Sequence, residues 1–477
     1  MRVLRKEPNL SLLWMRIAGI CVLVFLGSIL GSPVVLATVL LGLCVLGACL
    51  IARRPVGSLL FLLAFGMRLA IVLWIQTPPQ SDFYLLFDAS QKLLEGDLSF
   101  LNTEYFQLWS YQMGFVAFQS LLLRLWNHIL MPKLVNCLLG AATCVLVYLI
   151  ARELTPQRPA CFAALLYAVL PFPLSYVTVL SNQISASFLI YLGLYLLLST
   201  RLTIRQEVRY LLFGLLLALA NALRPESILP LLAVGVTTLL TLRRATFRTQ
   251  LFRLMILVLT YVMLTRLLSG LFVLTGLSPH GLVNQAPHWK FVLGFNHDTM
   301  GGYSDADVPY LHHAEEAWEL VKTRILVPLP QLFHLFLKKA SCLWSGGDLS
   351  WSLGPFSETG ISILGQTLNV NQLADVLFQM ERTLLTVLYT VLALAAFLHR
   401  RRPDAPLLIL WNQLLATFGV YLLIEVQPRY FYHIQISVLI LSAWSIHTLW
   451  ECLVCHRPQP EHLDASPTPR YPTEKTP

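Results

Sequence analysis

Long apolar runs recur along this 477-residue chain and constrain its fold more than any other feature. Runs of about 16–24 residues alternate with short polar or basic turns, and about 20 such residues let a helix cross the hydrocarbon core of a bilayer. The chain is 56% hydrophobic and only 12% charged, with a mean hydropathy of +0.66. The sequence therefore predicts an all-α polytopic membrane protein with about twelve transmembrane helices.

Basic residues between the runs predict the orientation, because Lys and Arg are enriched in cytoplasmic loops. Arg2, Arg5 and Lys6 precede the first run, so we expect both termini in the cytoplasm of a multi-pass plasma-membrane protein. The apolar stretch 111–130 is predicted to be an interfacial or re-entrant helix, since counting it as a span would place Arg152 and its basic neighbours outside. The predicted spans are 14–30, 34–51, 59–75, 135–150, 161–179, 184–198, 210–223, 228–240, 254–274, 384–398, 406–423 and 430–449.

One transmembrane domain is predicted over residues 1–455, followed by a disordered cytoplasmic tail, 456–477. The domain begins with a helical hairpin at 1–56. A first outer loop with interfacial helices follows at 77–133, and a second large outer region is expected at 275–382. Within that region, the apolar stretch at 325–337 is broken by prolines and is expected to lie at the interface, with a true span as the alternative.

Several function classes are excluded. The net charge of +9 is spread over the loops between spans and does not predict nucleic-acid binding. Most of the nine cysteines lie within apolar runs, which argues against a disulfide framework. Cys452-Leu453-Val454-Cys455-His456 matches a haem-attachment pattern, but its predicted cytoplasmic position argues against that use. His297 and His312-His313 have no convincing metal-ligand spacing.

The first outer loop concentrates charge in an apolar chain. Four carboxylates lie between Ser81 and Asp97, and apolar residues recur at helical spacing from Leu85 to Leu94. The spacing predicts a short amphipathic helix at the membrane surface. Asp82 falls at its N-terminal end, where a carboxylate can cap free backbone N–H groups. Two interpretations remain open for Asp82, a helix cap or a catalytic base at the bilayer edge.

The predicted topology gathers unusual polar residues at the outer turns: Asp82, Asp88, Asn182, Gln183, Arg224, Glu226, Lys290 and Arg429. A carboxylate can act as a general base toward a hydroxyl, and arginine binds phosphate through paired, charge-assisted hydrogen bonds. This combination suits a lipid-phosphate-linked donor, and apart from Asp82 these residues are predicted to bind the donor phosphate or another part of the substrate. The alternatives are structural: a turn with a snorkelling Arg224, an interface anchor at Arg429, and an ordinary loop at Asn182-Gln183.

The order of these segments resembles a known family. The first outer loop, with Ser81-Asp82-Phe83 followed by Leu93-Leu94-Glu95-Gly96-Asp97, looks like that of the GT-C glycosyltransferases. The bacterial family-39-like group, relatives of protein O-mannosyltransferases and aminoarabinose transferases, is the most similar subset. Further similar segments are Tyr111-Gln112-Met113-Gly114-Phe115, Leu180-Ser181-Asn182-Gln183, Leu223-Arg224-Pro225-Glu226 and Gln427-Pro428-Arg429-Tyr430.

The resemblance implies roles for individual residues. Asp82 corresponds to the loop aspartate that acts as catalytic base, and Arg429 and Arg224 to partners of the donor phosphate. Tyr430 falls in the same segment as Arg429 and is predicted to bind substrate. The chain departs from the family in its extra N-terminal hairpin. Phe83 follows Asp82 where a second acid could bridge a metal, so we predict no cofactor, with a divalent metal as the alternative that is not favoured.

The resemblance implies an extracytoplasmic glycosyltransferase. It would move a hexose or pentose from a polyprenyl-phosphate sugar donor to an envelope glycan, lipid or protein acceptor. Two other classes stay open. A flippase or transporter for lipid-linked oligosaccharides can also have many spans, although paired repeats and charged residues within spans would then be typical. A non-catalytic scaffold for envelope assembly is the third.

Overall fold

The computed structural model describes residues 32–51, 56–242, 244–363, 366–399 and 402–454. In these ranges the chain is mainly helical. The α-helices, in chain order, are α1 (Ser32–Ile51), α2 (Val56–Trp74), α3 (Ser81–Glu95), α4 (Glu104–Leu108), α5 (Met113–Leu125), α6 (Leu130–Leu154), α7 (Gln157–Val169), α8 (Pro171–Ser175), α9 (Gln183–Leu198), α10 (Gln206–Leu223), α11 (Ile228–Leu240), α12 (Phe247–Leu274), α13 (Pro287–Gly294), α14 (Ala314–Ile325), α15 (Leu329–Trp344), α16 (Ser350–Leu353), α17 (Val370–Leu398), α18 (Ala405–Leu423) and α19 (Phe431–Val454).

Short 3₁₀ turns and one small hairpin complete the described structure. The turns lie at Ser99–Asn102, Ser110–Gln112, Tyr176–Thr178, Arg244–Thr246, Asp305–Leu311, Gly354–Phe356 and Pro428–Tyr430. Two short strands, β1 (Ile361–Ile363) and β2 (Gln366–Leu368), pair antiparallel. The sequence analysis did not predict these strands.

The predicted all-α polytopic fold is confirmed. In the described part of the chain, seven helices are long and apolar enough to cross a membrane, or up to nine if two sharply bent helix pairs each count as one span. The count of about twelve is therefore not reached. The predicted first span, 14–30, and the tail, 456–477, lie outside the described residues.

The predicted span 161–179 corresponds to a bent pair of helices, which together are apolar enough to cross a membrane as one broken span. The chain breaks between α7 and α8, and the segments on either side meet at an angle of 55°. Pro171 explains the break, because proline has no N–H to donate and its ring clashes with the preceding turn. The apolar stretch near 325–337 likewise belongs to two helices, α14 and α15, which meet at 105°.

Helix ends elsewhere follow local capping. Helix α3 stops at Gly96, whose left-handed φ of +81° lets the chain turn back onto the last carbonyls of the helix. Helix α17 begins fourteen residues before the predicted Leu384. Its cap is Asn369, whose side chain accepts hydrogen bonds from the backbone of Asn371 and Gln372. The last part of the predicted outer region 275–382 is therefore the first part of α17.

The last helix, α19, lies at the centre of the bundle. Its residues from Phe431 to Ser445 are all buried, and it packs against α6, α7, α17 and α18. Helix α1 packs on the outside, against α7 and α17, and α3 packs against α5. Since α19 is fixed on nearly every side, the turn at its N-terminus is placed precisely relative to the neighbouring helix ends.

Candidate active site

Asp82 and Arg429 meet at one end of the bundle. Asp82 lies in the first turn of α3, and Arg429 lies in the turn just before α19. Arg429 Nη2 is 3.7 Å from Asp82 Oδ2, which is an ion-pair distance but too long for a hydrogen bond. The Arg429 side chain is 9% exposed, whereas that of Asp82 is 43% exposed. The carboxylate is therefore accessible while the guanidinium is enclosed.

The structure does not support a helix-capping role for Asp82. In the described residues, no hydrogen bond from a backbone N–H to its carboxylate is present, and its ion pair with Arg429 is its observed polar contact. The preceding residue, Ser81, has a φ of +48°, in the left-handed region that non-glycine residues rarely adopt. Backbone strain of this kind is concentrated at functional sites.

Aromatic faces hold the Arg429 guanidinium. Its Cζ lies 4.4 Å from the ring centre of Trp351, 5.2 Å from Phe83 and 5.8 Å from Tyr430. Its buried Nε has no hydrogen-bond partner among the described residues. A buried donor without a partner is unusual in a folded protein. Arg429 is thus an enclosed cation whose hydrogen-bonding capacity is not fully used by the described residues.

The Arg429 backbone is fixed from the far side. Gln183 Nε2 donates to the Arg429 carbonyl at 2.7 Å, and Tyr176 Oη donates to Gln183 Oε1 at 2.5 Å. Gln183 and Tyr176 are almost fully buried. Gln183 therefore holds the Arg429 backbone in place from the buried side of the site, whereas the sequence analysis predicted that it contacts substrate.

Arg224 and Glu226 form a second, more closed pair. The Arg224 guanidinium is hydrogen-bonded to the Glu226 carboxylate, and its Nη1 donates to Asn182 Oδ1 at 3.0 Å. Asn182 Nδ2 in turn donates to the Leu223 carbonyl at 3.0 Å. Arg224 Cζ lies 5.3 Å from the ring centre of Tyr430. These contacts bring the Asn182 turn, the end of α10 and the start of α19 together.

Lys290 and Glu425 form a third pair beside Tyr430. The Lys290 ammonium is hydrogen-bonded to the Glu425 carboxylate, which also accepts from Gln427 Nε2 at 2.6 Å. Tyr430 Oη donates to Glu425 Oε2 at 3.3 Å. Burial is the largest single influence and would raise the pKa of Glu425, but the Lys290 charge, the hydrogen bonds from Lys290 and Gln427 and the Arg429 charge together outweigh it, and the pKa lies below its ordinary value. Glu425 therefore stays ionised at neutral pH.

Asp88 is placed apart from the other predicted residues. It pairs with Lys92 one turn further along α3, at 2.8 Å, and both side chains are more than a third exposed. No ion pair among the described residues joins Asp88 to an arginine. Its assignment to the site stays a prediction, with a surface ion pair as its observed contact.

Several residues of the site escaped sequence reasoning. Burial raises the pKa of Tyr105 and Tyr111, and the charge of Asp82 adds to both shifts. Trp351 and Glu425 were also missed. Glu425 lies two residues before the Gln427-Pro428-Arg429-Tyr430 segment, which was the available signal, whereas nothing local marks Trp351.

An apolar pocket of about 410 Å³ lies beside the aromatic contacts. Leu353, on the same short helix as Trp351, forms part of its wall, and α1 supplies another part. Its lining residues are Leu36, Val39, Leu40, Leu43, Ile71, Trp74, Ile75, Val169, Pro171, Leu174, Ser175, Leu353, Ile361, Leu373, Leu377 and Met380.

The site offers no evident place for a metal. In the described ranges, no three His, Cys, Asp or Glu side chains lie close enough together to bind one ion. The polar cluster consists instead of carboxylates paired with cations. The predicted absence of a metal cofactor stays a prediction.

Part of this chain is similar to a known protein family. The family model for dolichyl-phosphate-mannose-protein mannosyltransferases matches residues 114–268, about a third of the chain. The matched range includes Asn182, Gln183, Arg224 and Glu226. The match confirms the resemblance to GT-C glycosyltransferases at the level of the superfamily. The narrower family-39-like assignment stays a prediction. No curated protein is significantly similar in sequence to this chain.

Solved structures of similar fold come from Archaeoglobus fulgidus. The archaeal oligosaccharyltransferase AglB in complex with an inhibitory peptide and a dolichol-phosphate is 14% identical, with a TM-score of 0.48 over 85% of this chain and 51% of that chain. The apo oligosaccharyltransferase is 13% identical, with a TM-score of 0.48 over 84% and 51%. The chain thus spans about half the length of these structures.

Proposed function

We propose that this protein is a glycosyltransferase that moves a sugar from a polyprenyl-phosphate-linked donor to an acceptor hydroxyl at the outer face of the membrane. The match of its middle third to a mannosyltransferase family supports the reaction class. The observation that carries the proposal is the contact between the exposed Asp82 carboxylate and the enclosed Arg429 guanidinium. A base and a phosphate-binding group are thereby next to each other.

The chemistry is an inverting displacement. Asp82 takes the proton from the acceptor hydroxyl, and the acceptor oxygen attacks the anomeric carbon of the donor. The bond from that carbon to the phosphate oxygen breaks, and polyprenyl phosphate leaves. Arg429 donates hydrogen bonds to the phosphate as negative charge develops on it, which lowers the barrier most when the guanidinium is already in place.

The three charge pairs support Arg429 as the phosphate ligand. Arg224 and Lys290 each have a hydrogen-bonded carboxylate, Glu226 and Glu425, that neutralises their charge. Arg429 instead has a looser ion pair and an unpartnered buried Nε. Its binding of a phosphate therefore breaks no existing hydrogen bond. Arg224 fixes the Asn182 turn through its hydrogen bond to Asn182 Oδ1.

The apolar pocket supports a lipid-linked donor. Its wall residue Leu353 lies two positions after Trp351, the ring closest to the Arg429 guanidinium. A donor whose phosphate meets Arg429 can therefore place the first units of its isoprenoid chain among apolar side chains. Burial of these units would stabilise the complex by about 25 cal/mol per Å² of apolar surface.

The test is the activity of Asp82→Asn with a matched lipid-linked donor. The amide cannot accept the proton, so we expect kcat to fall about 100- to 10,000-fold with little change in donor binding. Asp97→Asn, in an exposed turn where Asp97 contacts Ser99, is the matched control and should remain near wild type.

Near wild-type turnover by well-folded Asp82→Asn would remove the assigned base. Mass spectrometry of envelope glycans with and without the protein would identify the sugar and the acceptor. Movement of labelled lipid-linked sugar across the membrane, with no new glycosidic bond, would instead indicate a transporter.

A further inference from the structure

Glu381 is a carboxyl group buried within α17, a helix that is long and apolar enough to cross a membrane. Its residue is 1% exposed. No ion pair in the described part of the chain includes it. Ionisable side chains buried within membrane-spanning helices are costly and usually serve a function. Glu381 therefore needs an explanation other than charge pairing.

Two N–H groups donate hydrogen bonds to this one carboxyl group. The backbone N–H of Phe172 donates to Oε2 at 2.9 Å, and Gln435 Nε2 donates to Oε1 at 2.7 Å. The backbone N–H of Gly347 lies near the same carboxyl group, and Gly347 packs against the Phe172 ring. These groups come from the broken segment after α7, from α19 and from the loop after α15, so Glu381 bonds to two of these elements and lies beside the third.

The first joined segment leads to the Arg429 backbone. Phe172 lies just after the break at Pro171, and Tyr176 follows one helical turn later. Tyr176 bonds to Gln183, and Gln183 donates to the Arg429 carbonyl. The position of the segment from Phe172 to Tyr176 therefore helps to fix the Arg429 backbone.

The other two segments lead to the Arg429 side chain and to its helix. Trp351, whose ring is 4.4 Å from the guanidinium carbon, follows Gly347 by four residues. Gly347 also lies against the Phe172 ring so closely that a Cβ there would be 1.9 Å from ring carbon Cγ. Gln435 lies six residues after Arg429, within α19. Each of these groups thus lies on a segment that positions Arg429.

The backbone groups on both sides of the helix break at Pro171 have hydrogen-bond partners. Arg68 donates to the carbonyls of Tyr167 and Ala168, near the end of α7, at 3.3 and 3.5 Å. Glu381 accepts the N–H of Phe172 beyond the break. Backbone groups freed at a helix break within a membrane need such partners. Glu381 is the partner on the Arg429 side of the break.

We propose that Glu381 is a positioning residue that fixes the enclosure of Arg429 by holding its three supporting segments against α17. The inference rests on the proposed function for the identity of the anion that Arg429 binds. It concerns a residue that touches neither donor nor acceptor, and it predicts that Glu381 acts on the phosphate through Arg429.

A double-mutant cycle tests this coupling. Binding of undecaprenyl phosphate to the full-length protein in detergent would be measured for wild type, Glu381→Ala, Arg429→Gln and the double variant. We expect Glu381→Ala to weaken binding about tenfold in the wild-type background and to have almost no effect when Arg429 is already replaced. Equal effects in both backgrounds would overturn the inference.

Two further variants separate positioning from stability. Glu381→Gln keeps a carbonyl acceptor and should lose less affinity than Glu381→Ala. Leu385→Ala, one turn along α17 and also buried, should lower the thermal unfolding midpoint without weakening binding. An equal loss of binding in Leu385→Ala would assign the effect of Glu381 to general stability.

Hydrogen exchange tests the inference without a ligand. Glu381→Ala should speed exchange in three segments, 172–183, 346–351 and 427–431, while Leu385→Ala should leave them near wild type. Faster exchange in none or only one of them would overturn the inference. If wild type fails to bind undecaprenyl phosphate, the donor assignment fails, and the exchange result alone decides the role of Glu381.

Discussion

At the scale of single residues, the three cations of the site differ in the groups that surround them. Arg224 and Lys290 are hydrogen-bonded to carboxylates, whereas Arg429 is enclosed by the rings of Trp351 and Phe83. Arginine stacks its planar guanidinium on aromatic faces. This leaves the N–H groups, which point outward in the guanidinium plane, free to donate hydrogen bonds. The enclosure thus fixes the direction of the charge without using its hydrogen-bond donors.

Arg429→Lys tests the need for a planar group. Lysine keeps the charge but cannot stack in the same way or donate two parallel hydrogen bonds, so we expect kcat to fall about 10- to 100-fold, with a higher donor KM. Steady-state kinetics with varied donor would measure both. Arg124→Lys, at the last turn of α5, is the control and should be nearly neutral. Unchanged kinetics in Arg429→Lys would show that charge alone suffices.

The Lys290–Glu425 pair predicts a pH-dependent stability. Burial works against ionised Glu425, but Lys290 lowers its folded pKa below the unfolded value of 4.5. A lowered carboxyl pKa contributes stability above 4.5, and this contribution is lost as the pH falls through the folded value. Lys290→Met should therefore destabilise the protein at pH 7 and progressively less at acid pH.

Thermal unfolding midpoints of wild type and Lys290→Met, measured from pH 7 down to pH 3, would check this. The two curves should approach each other at low pH, because Glu425 becomes protonated in both proteins. Curves that stay parallel over the whole range would contradict a stabilising charge pair.

At the scale of elements, the site depends on close contact between helices that are distant in sequence. Helix α5, predicted as interfacial, packs against α3 and against the end of α10. Gly114 permits the second contact, since a Cβ on it would lie 1.9 Å from the Ala222 carbonyl oxygen. Ala222 is two residues before Arg224, so the contact helps to fix the Arg224 turn.

Gly114→Ala should therefore separate α5 from the end of α10. We expect the free energy of unfolding to fall by about 1–3 kcal/mol or more, because the added methyl group would clash with backbone atoms. We also expect a lower rate of sugar transfer. Gly66→Ala is the matched control, because a Cβ there has no neighbouring atom within 4 Å. Thermal unfolding and activity of the two purified variants would be compared. A fully stable and active Gly114→Ala would show that the helices can move apart freely.

At the scale of the whole molecule, the first described helix takes part in the proposed donor site. Helix α1 packs against α7 and α17, and with α2 and α16 it encloses the apolar pocket. Helix α1, the described part of the extra N-terminal hairpin that was predicted as a departure from the family, thus supplies part of the pocket wall. Under the proposed function, α1 would contact the donor tail.

Val39→Trp tests the pocket. Val39 lines it, and the larger side chain should fill part of the 410 Å³, raising the KM for a long-chain donor severalfold more than for a short-chain analogue. Val45→Trp, on the same helix at a position that is 54% exposed, is the control. Equal KM changes for long and short donors would place the isoprenoid chain elsewhere.

Much of the helical framework follows from the sequence alone. Hydrophobic runs near the length of a bilayer force helices, because backbone N–H and C=O groups have no other partners in lipid. Local signals also mark some ends, such as Gly96 after α3. The start of α17 was missed because its first turns carry Asp375, Glu381 and Arg382, so hydropathy placed the span too late.

The amino-acid sequence by itself determined that the chain forms a bundle of apolar helices, and it marked Asp82, Arg224 and Arg429 as polar residues at turns. Only the tertiary structure decided which of these residues meet. Asp82 and Arg429 are separated by most of the chain, and their 3.7 Å contact depends on how α3 and α19 pack. Trp351 and Glu381 carry no local signal, because their partners are supplied by other segments that folding brings together.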